Sequence, residues 1–203
     1  MIRRIFLSLF ASLILTATSA FGLEPGRGRD VASPRPMRIE RAELSLTPKI
    51  FFDKTRFASA RAVVKDPKSF PNLGEDFEVV DPIRGMKYNC IAHSLGIHSH
   101  WVNPKTGPAE RPYLHMDSMY TAKGYTRVNG LDFKLNTRMK KVALYAKVSN
   151  GKVTEVTHAA LQETDGSWSS KLGQLPLIRH TNPQALNGPT YGQPVAVYVK
   201  HVR

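Results

Sequence analysis

The sequence predicts an α+β fold, with helices in the earlier part of the chain and an antiparallel sheet in the last third. Four late segments are rich in β-branched and aromatic residues, namely 140–148, 152–163, 166–172 and 193–202. The sequences SNGK and TDGS separate the first three of these segments and are typical of hairpin turns. Because helical spacing of apolar residues occurs earlier, the order of elements favours the α+β class.

The N-terminal residues have the pattern of a secretory signal peptide. Arg3 and Arg4 precede an apolar stretch, and small residues precede a cleavage site near Ala20. We therefore predict a signal peptide over residues 1–20, a basic linker rich in proline and glycine over 21–37, and a single domain over 38–203. No later segment is long and apolar enough to span a membrane, which predicts a secreted or periplasmic protein with no transmembrane segment after cleavage.

The first elements of the domain are short. Residues 38–47 and 56–65 have weak periodicity and predict a strand and a short helix. Residues 77–85 predict a short strand that Pro82 and Gly85 close.

Two helices are expected between these elements and the sheet. Asn89 is a favourable N-cap, which places Cys90 at the first position of a helix that ends before Pro104. A second helix over residues 116–123 is expected to end at Gly124.

The strong positive charge predicts anionic surroundings. The formal net charge is +13, and +11 remains once Arg3 and Arg4 of the predicted signal peptide are removed. Basic proteins favour anionic partners. Since export is predicted, an anionic polymer of the cell envelope is the expected kind of partner. No nucleic acid is expected, because no recognised nucleic-acid-reading motif occurs.

Cys90, in the sequence YNCIAHSL, is the only cysteine of the chain. Oxidising compartments favour paired cysteines, so a solitary thiol in an exported chain is either a small buried hydrophobe or a reactive group. A helix N-terminus lowers the pKa of a thiol through its dipole and free N–H groups, and a neighbouring imidazole stabilises the thiolate. Cys90 is therefore the candidate nucleophile.

His158 is the candidate base, because a strand in the middle of VTHAALQ would hold it rigidly. Its neighbours Ala159 and Ala160 are small enough to let a helix approach closely. The other histidines lie on the cysteine's own helix, in predicted loops or close to the C-terminus: His93, His98 and His100; His115 and His180; and His201. The alternative is that His158 is an ordinary strand histidine unrelated to Cys90.

Two sets of motifs resemble known families. A cysteine at a helix start, followed by an antiparallel sheet with a histidine on an early strand, resembles the papain-like superfamily, including the NlpC/P60 and CHAP cell-wall hydrolases. More closely, YNCIAHSLG, VTHAALQETDGSWSSKLG, IRH and YGQPVAVYV are similar to a bacterial family of uncharacterised domains with NCIAWA, THAA-Q and G-W-SKLG motifs. This resemblance runs from about residue 71 to the C-terminus. His93 stands where that family more often has tryptophan, which we interpret as a packing position.

The resemblance to the papain-like enzymes implies that fold, with helices packed on the sheet, and a third polar residue that orients His158. One hairpin after the histidine, this position falls on Ser170, with Lys171 beside it. His180 is the alternative if its loop folds back. An ordinary strand and turn is the alternative for both Ser170 and Lys171.

The remaining candidates concern substrate binding. The backbone N–H of Cys90 would hold an oxyanion, and Asn89 either assists it or acts only as the N-cap. Trp101 and Trp168 either line a substrate groove or belong to the core.

These observations predict a secreted cysteine hydrolase or acyltransferase that acts on a peptide or amide bond, with cell-wall peptide as one substrate class. No cofactor is expected. The main alternative is a catalytically inactive papain-like module that binds anionic envelope polymers through its basic surface. A zinc site is a weaker alternative, because Cys90, His93, His98 and His100 on one helix do not converge on a tetrahedron.

Overall fold

The computed structural model describes residues 54–83, 85 and 87–202. The predicted signal peptide, the linker and the strand expected at 38–47 lie outside these residues. The described elements follow one another in the order α1 (Lys54–Val64), β1 (Phe77–Asp81), α2 (Cys90–Ser94), α3 (Leu114–Thr121), β2 (Thr126–Val128), β3 (Met139–Ser149), β4 (Lys152–Gln162), β5 (Trp168–Lys171), β6 (Leu177–His180), a 3-10 helix (Pro183–Leu186) and β7 (Gln193–His201).

The strands form one seven-stranded sheet in the order β1-β6-β5-β4-β3-β7-β2, and all neighbours are antiparallel. Strands β3 to β6 are sequential neighbours joined by short turns, which is the least demanding way to extend an antiparallel sheet. The β3–β4 turn contains Asn150 and Gly151, both with positive φ, as the sequence SNGK predicts for a two-residue hairpin.

Each face of the sheet is covered by a different part of the chain. Alternate residues of β3 point to opposite faces. Val142 and Leu144 pack with residues of α2 and α3, whereas Ala143 and Tyr145 pack with residues of α1.

The predicted combination of helices and an antiparallel sheet is confirmed, while the papain-like fold in particular is not confirmed. All four late strands match their predicted segments to within a residue or two at each end. None of the described helices is long and apolar enough to cross a membrane.

Gly192 lies just before β7, where the chain passes close to the backbone of β3. A Cβ atom at this position would lie 2.0 Å from the Ala146 carbonyl oxygen, and the residue has a φ of +73°. Both the backbone angle and the contact therefore require glycine.

We expect Gly192→Ala to destabilise the protein by about 3 kcal/mol or more, because left-handed strain and a backbone clash add together. Gly151→Ala is the matched control. Gly151 has a φ of +72° and nothing within 4 Å of the added Cβ, so only the backbone strain of about 1–2 kcal/mol is expected. Denaturant unfolding of both variants measures the difference, and equal losses would contradict the clash.

Candidate functional site

Cys90 opens a short helix whose start is fixed by one side chain. α2 has five residues, and Asn89 is its N-cap, as predicted, accepting a hydrogen bond of 3.1 Å from the Ala92 backbone N–H. The Asn89 side chain also accepts from the Val102 N–H at 3.2 Å and donates to the Val102 carbonyl at 2.7 Å. Because its oxygen and its nitrogen are both engaged, Asn89 holds the helix and the following segment in place.

A β-bulge in β4 lies directly before His158. Tyr145 pairs with His158, but the next residue of β3, Ala146, pairs with Val156, so Thr157 is the extra residue. Bulges re-aim side chains and are common beside functional sites. This bulge determines what His158 and its neighbours can contact.

The sulfur of Cys90 lies against the backbone on both sides of His158. Its S–H donates to the Thr157 carbonyl across 3.9 Å, and the backbone N–H of Ala159 also bonds to the sulfur. Cys90 packs with Ala159 in one core cluster, whereas the ring of His158 stacks on Tyr191 of the other. The thiol and the imidazole therefore lie on opposite sides of the β4 backbone, and the sulfur bonds to Thr157 and not to the ring.

The His158 ring is fully buried among aromatic side chains. The Tyr191 ring stacks on it with centroids 4.0 Å apart, and the Tyr145 ring meets it edge-on at 5.2 Å. The Thr157 hydroxyl donates to the Tyr191 carbonyl at 2.6 Å, so the bulge also anchors the stacked ring. His158 Nε2 lies 3.2 Å from Ser170 Oγ.

A chain of hydrogen bonds continues from Ser170 and fixes the proton positions. His180 Nδ1 lies 2.8 Å from the Asn182 carbonyl, which only accepts, so Nδ1 carries the proton. In neutral His180 the bare Nε2 then accepts from the Ser170 hydroxyl at 2.9 Å. Since Ser170 has one proton to give, it must accept from His158 Nε2–H. His158 Nδ1 is thereby left as a bare, basic nitrogen, buried and without a hydrogen-bond partner among the described residues.

Burial dominates the protonation of these groups. It raises the pKa of the Cys90 thiol to about 11, although the adjacent backbone N–H groups lower it. Burial also lowers the pKa of His158 well below its usual value, and the neighbouring histidines His180 and His93 lower it further. The N–H groups at the start of the helix do lower the pKa of this thiol, as expected, but burial outweighs them and the net shift is upward. The resting pair is a neutral thiol and a neutral imidazole.

A cleft of about 440 Å³ opens beside α2, and Lys87 and Lys171 outnumber the one carboxylate in its lining, Asp81. Lys171 and Tyr88 line it, with the Lys171 ammonium 5.7 Å from the Tyr88 ring centroid. Lys171 Nζ also donates to the carbonyls of Gly173 and Leu175, so it closes a turn and does not contact His158. Its charge nevertheless lowers the pKa of the Cys90 thiol.

The two predicted tryptophans differ in their surroundings. Trp168 is 1% exposed and packs edge-on against Phe133 at 5.8 Å, so it belongs to the core. Trp101 is half-buried in the segment that follows α2.

Several residues around the site were not singled out in the sequence. Tyr191 has a recognisable signal, since it stands in the YG motif, but its stacking on His158 depends on a turn that brings distant residues together. Ser169 is the counterpart of Ser170 on the other side of β5, where its Oγ lies 2.8 Å from His93 Nε2. His93 thus makes a polar contact at the position interpreted as packing.

The Cys/His tract does not gather around a common point. Across residues 54–83, 85 and 87–202, no group of three or more His, Cys, Asp or Glu side chains could hold a metal ion.

The fold and site define an α+β protein with a buried thiol set against a histidine-bearing strand. The model of the family described as a domain of unknown function (DUF7689) matches residues 81–199, and the chain belongs to this family. The predicted membership of a family of uncharacterised domains is confirmed at that level, and nothing links the chain to the NlpC/P60 or CHAP enzymes. No curated protein and no solved structure matches.

We expect the free energy of unfolding to fall as the pH drops below about 6.5. Burial lowers the pKa of His93 and of His180 to about 4, and that of His158 well below its usual value. Between pH 6.5 and the lowered pKa values, the unfolded chain therefore binds more protons than the folded one. In this range the free energy of unfolding falls by about 1.4 kcal/mol per pH unit for each histidine. Denaturant unfolding from pH 7 to pH 5 measures this slope.

His93→Gln should make the slope shallower by about one third, because one of three titrating groups is removed. His115→Gln is the control, since His115 is exposed. Unchanged stability between pH 7 and pH 5 would show that the buried histidines do not resist protonation.

Proposed function

We propose that the protein is a thiol-dependent hydrolase or acyltransferase that acts on a peptide or amide bond, with Cys90 as nucleophile and His158 as base. The observation that carries this proposal is the bare Nδ1 of His158. An unpartnered buried acceptor costs about 1–3 kcal/mol, so its presence in the residue next to Thr157, whose carbonyl accepts from the only cysteine, calls for an explanation. A base that must accept a thiol proton supplies one.

The chemistry follows from the tautomers. The Cys90 S–H gives its proton to His158 Nδ1 as the sulfur–carbon bond to the substrate carbonyl forms. The carbon–nitrogen bond then breaks, and the leaving amine takes the proton from Nδ1. Water or an acceptor amine releases the acyl group from the thioester by the reverse sequence. Ser170 keeps Nε2 engaged throughout, so the proton moves only at Nδ1.

Burial of the thiol in the resting state raises its pKa and keeps it neutral. Because the thiol is neutral and 4% exposed, it is protected from oxidation until a substrate displaces its surroundings. For the thiol to react, the sulfur must leave the Thr157 carbonyl and the backbone of β4 at the Thr157 bulge must rearrange, because the sulfur and Nδ1 lie on opposite sides of that strand. The backbone N–H groups at the start of α2 would then face the oxyanion.

The cleft beside α2 is the proposed substrate site, because Lys87 and Lys171 in its lining favour an acyl group that carries a carboxylate. Cys90 does not line the cleft, so substrate binding must uncover the thiol. Peptides of the cell wall have this character, in keeping with the predicted export to a secreted or periplasmic location. The papain-like scaffold is part of the same proposal. It is supported by the order of the parts, in which the cysteine helix precedes strands β2 to β7 and the histidine lies in the second long strand of the sheet.

Acylation by 4-nitrophenyl acetate, followed by intact-protein mass spectrometry, tests the thiol and the base without knowledge of the natural substrate. Cys90→Ala should abolish acylation at this site, and His158→Gln should slow it roughly 100-fold or more, as expected for the loss of a general base. Full acylation of Cys90→Ala, or an unchanged rate in His158→Gln, would refute the proposal.

Ser170→Ala tests the orienting role. The loss of the hydroxyl frees Nε2 of His158 and permits the other tautomer, so we expect acylation to slow roughly tenfold and its pH profile to shift. Ser169→Ala is the matched control, because Ser169 is the adjacent residue of β5 and bonds to His93. Equal effects of the two variants would assign a purely structural role to Ser170.

A further inference from the structure

A second feature of the sheet lies away from the thiol, where β3 and β7 meet near the end of α3. The register places Lys140 of β3 directly opposite Lys200 of β7. Like charges directly opposite on one face of a sheet repel and destabilise it. On the same strand, Lys147 pairs with Glu155 and the two side chains form an ion pair. Stability alone would favour an acidic residue opposite Lys200 as well.

The two lysines border a groove of about 780 Å³. Lys123 and His201 also line it, and no aspartate or glutamate is among its described lining residues. Neither Lys123, Lys140 nor Lys200 forms an ion pair within the described part of the chain.

The lysines come from three separate parts of the fold and meet at one groove. Lys123 follows α3, Lys140 starts β3 and Lys200 ends β7. Lys200 Nζ donates to the Lys123 carbonyl at 2.8 Å, which fixes its position and leaves two of its protons free. Three neighbouring ammonium groups without a carboxylate suit a ligand with several negative charges.

The floor of the groove argues against a nucleic acid. Bases bind to such surfaces by stacking on exposed aromatic rings. Tyr125 is 6% exposed and packs edge-on against Tyr120 at 5.8 Å, so no face is free for a base. The other apolar lining residues are aliphatic, namely Leu95, Leu161 and Val202.

We propose that this groove binds a linear anionic polymer with phosphate groups along its backbone, through Lys123, Lys140 and Lys200. The polymer neutralises the facing lysines and follows the groove across the end of the sheet. This site is independent of the proposed thiol chemistry, since Cys90 does not line the groove.

Binding of fluorescently labelled long-chain inorganic polyphosphate to the purified protein, measured by anisotropy over a range of salt concentrations, tests the site. We expect Lys140→Gln with Lys200→Gln to weaken binding and to make the slope of log K against log salt shallower by about 2, or about 1 for each phosphate contact. The control Lys105→Gln with Lys152→Gln removes the same charge at exposed positions outside the groove and should leave the slope unchanged.

Equal effects of the two double variants would overturn the groove as the site and assign binding to overall charge. Orthophosphate that competes as well as polyphosphate at equal phosphate concentration would overturn the polymer as ligand. Tighter binding of single-stranded DNA than of polyphosphate would assign the groove to nucleic acid instead.

Lys140→Glu separates binding from folding. It replaces the facing like charges with an ion pair, so we expect the Tm of the free protein to rise by about 2 °C while polyphosphate binding is lost. A fall in Tm would contradict the repulsion between Lys140 and Lys200.

Discussion

The hydrogen-bond chain from the Asn182 carbonyl through His180 and Ser170 to His158 is the constraint on which the candidate site depends. One fixed acceptor at its start determines every proton position along it, because each member has a single way to satisfy its neighbour. The chain also connects β6, β5 and β4, so it is built into the sheet itself. Its consequence at the far end is a basic nitrogen at His158 Nδ1 that no described residue uses.

The bulge at Thr157 positions the other parts of the candidate site. It presents a carbonyl to the Cys90 thiol and a hydroxyl to the Tyr191 backbone, so the sulfur and the stacked ring are both anchored at one residue. Burial keeps the thiol and the imidazole neutral at rest and opposes proton transfer between them, so a bound substrate must change their surroundings before the thiol reacts. The basic groove lies on the same sheet, but its lysines remain at the surface. No carboxylate among the described lining residues balances their charge.

The sequence predicted the parts of this structure that local patterns control. Strand alternation and hairpin turns located the long strands, and the Asn89 cap located the start of α2. The short strands β2 and β6 were missed, because their few residues have no periodicity and pair only through distant partners. The helical stripe expected to continue past Ser94 stops where Gly96 adopts a positive φ. The bulge and the pKa of Cys90 could not be predicted, since both depend on register and burial that no spacing in the sequence encodes.

Long-range ¹⁵N–¹H NMR of histidine-labelled protein at neutral pH tests the central claim most directly. It reads the protonation of each ring nitrogen, and His158→Gln assigns the signal that matters. We expect His158 to be protonated only at Nε2 and His180 only at Nδ1. A proton on Nδ1 of His158, alone or together with Nε2, would remove the base and contradict the site.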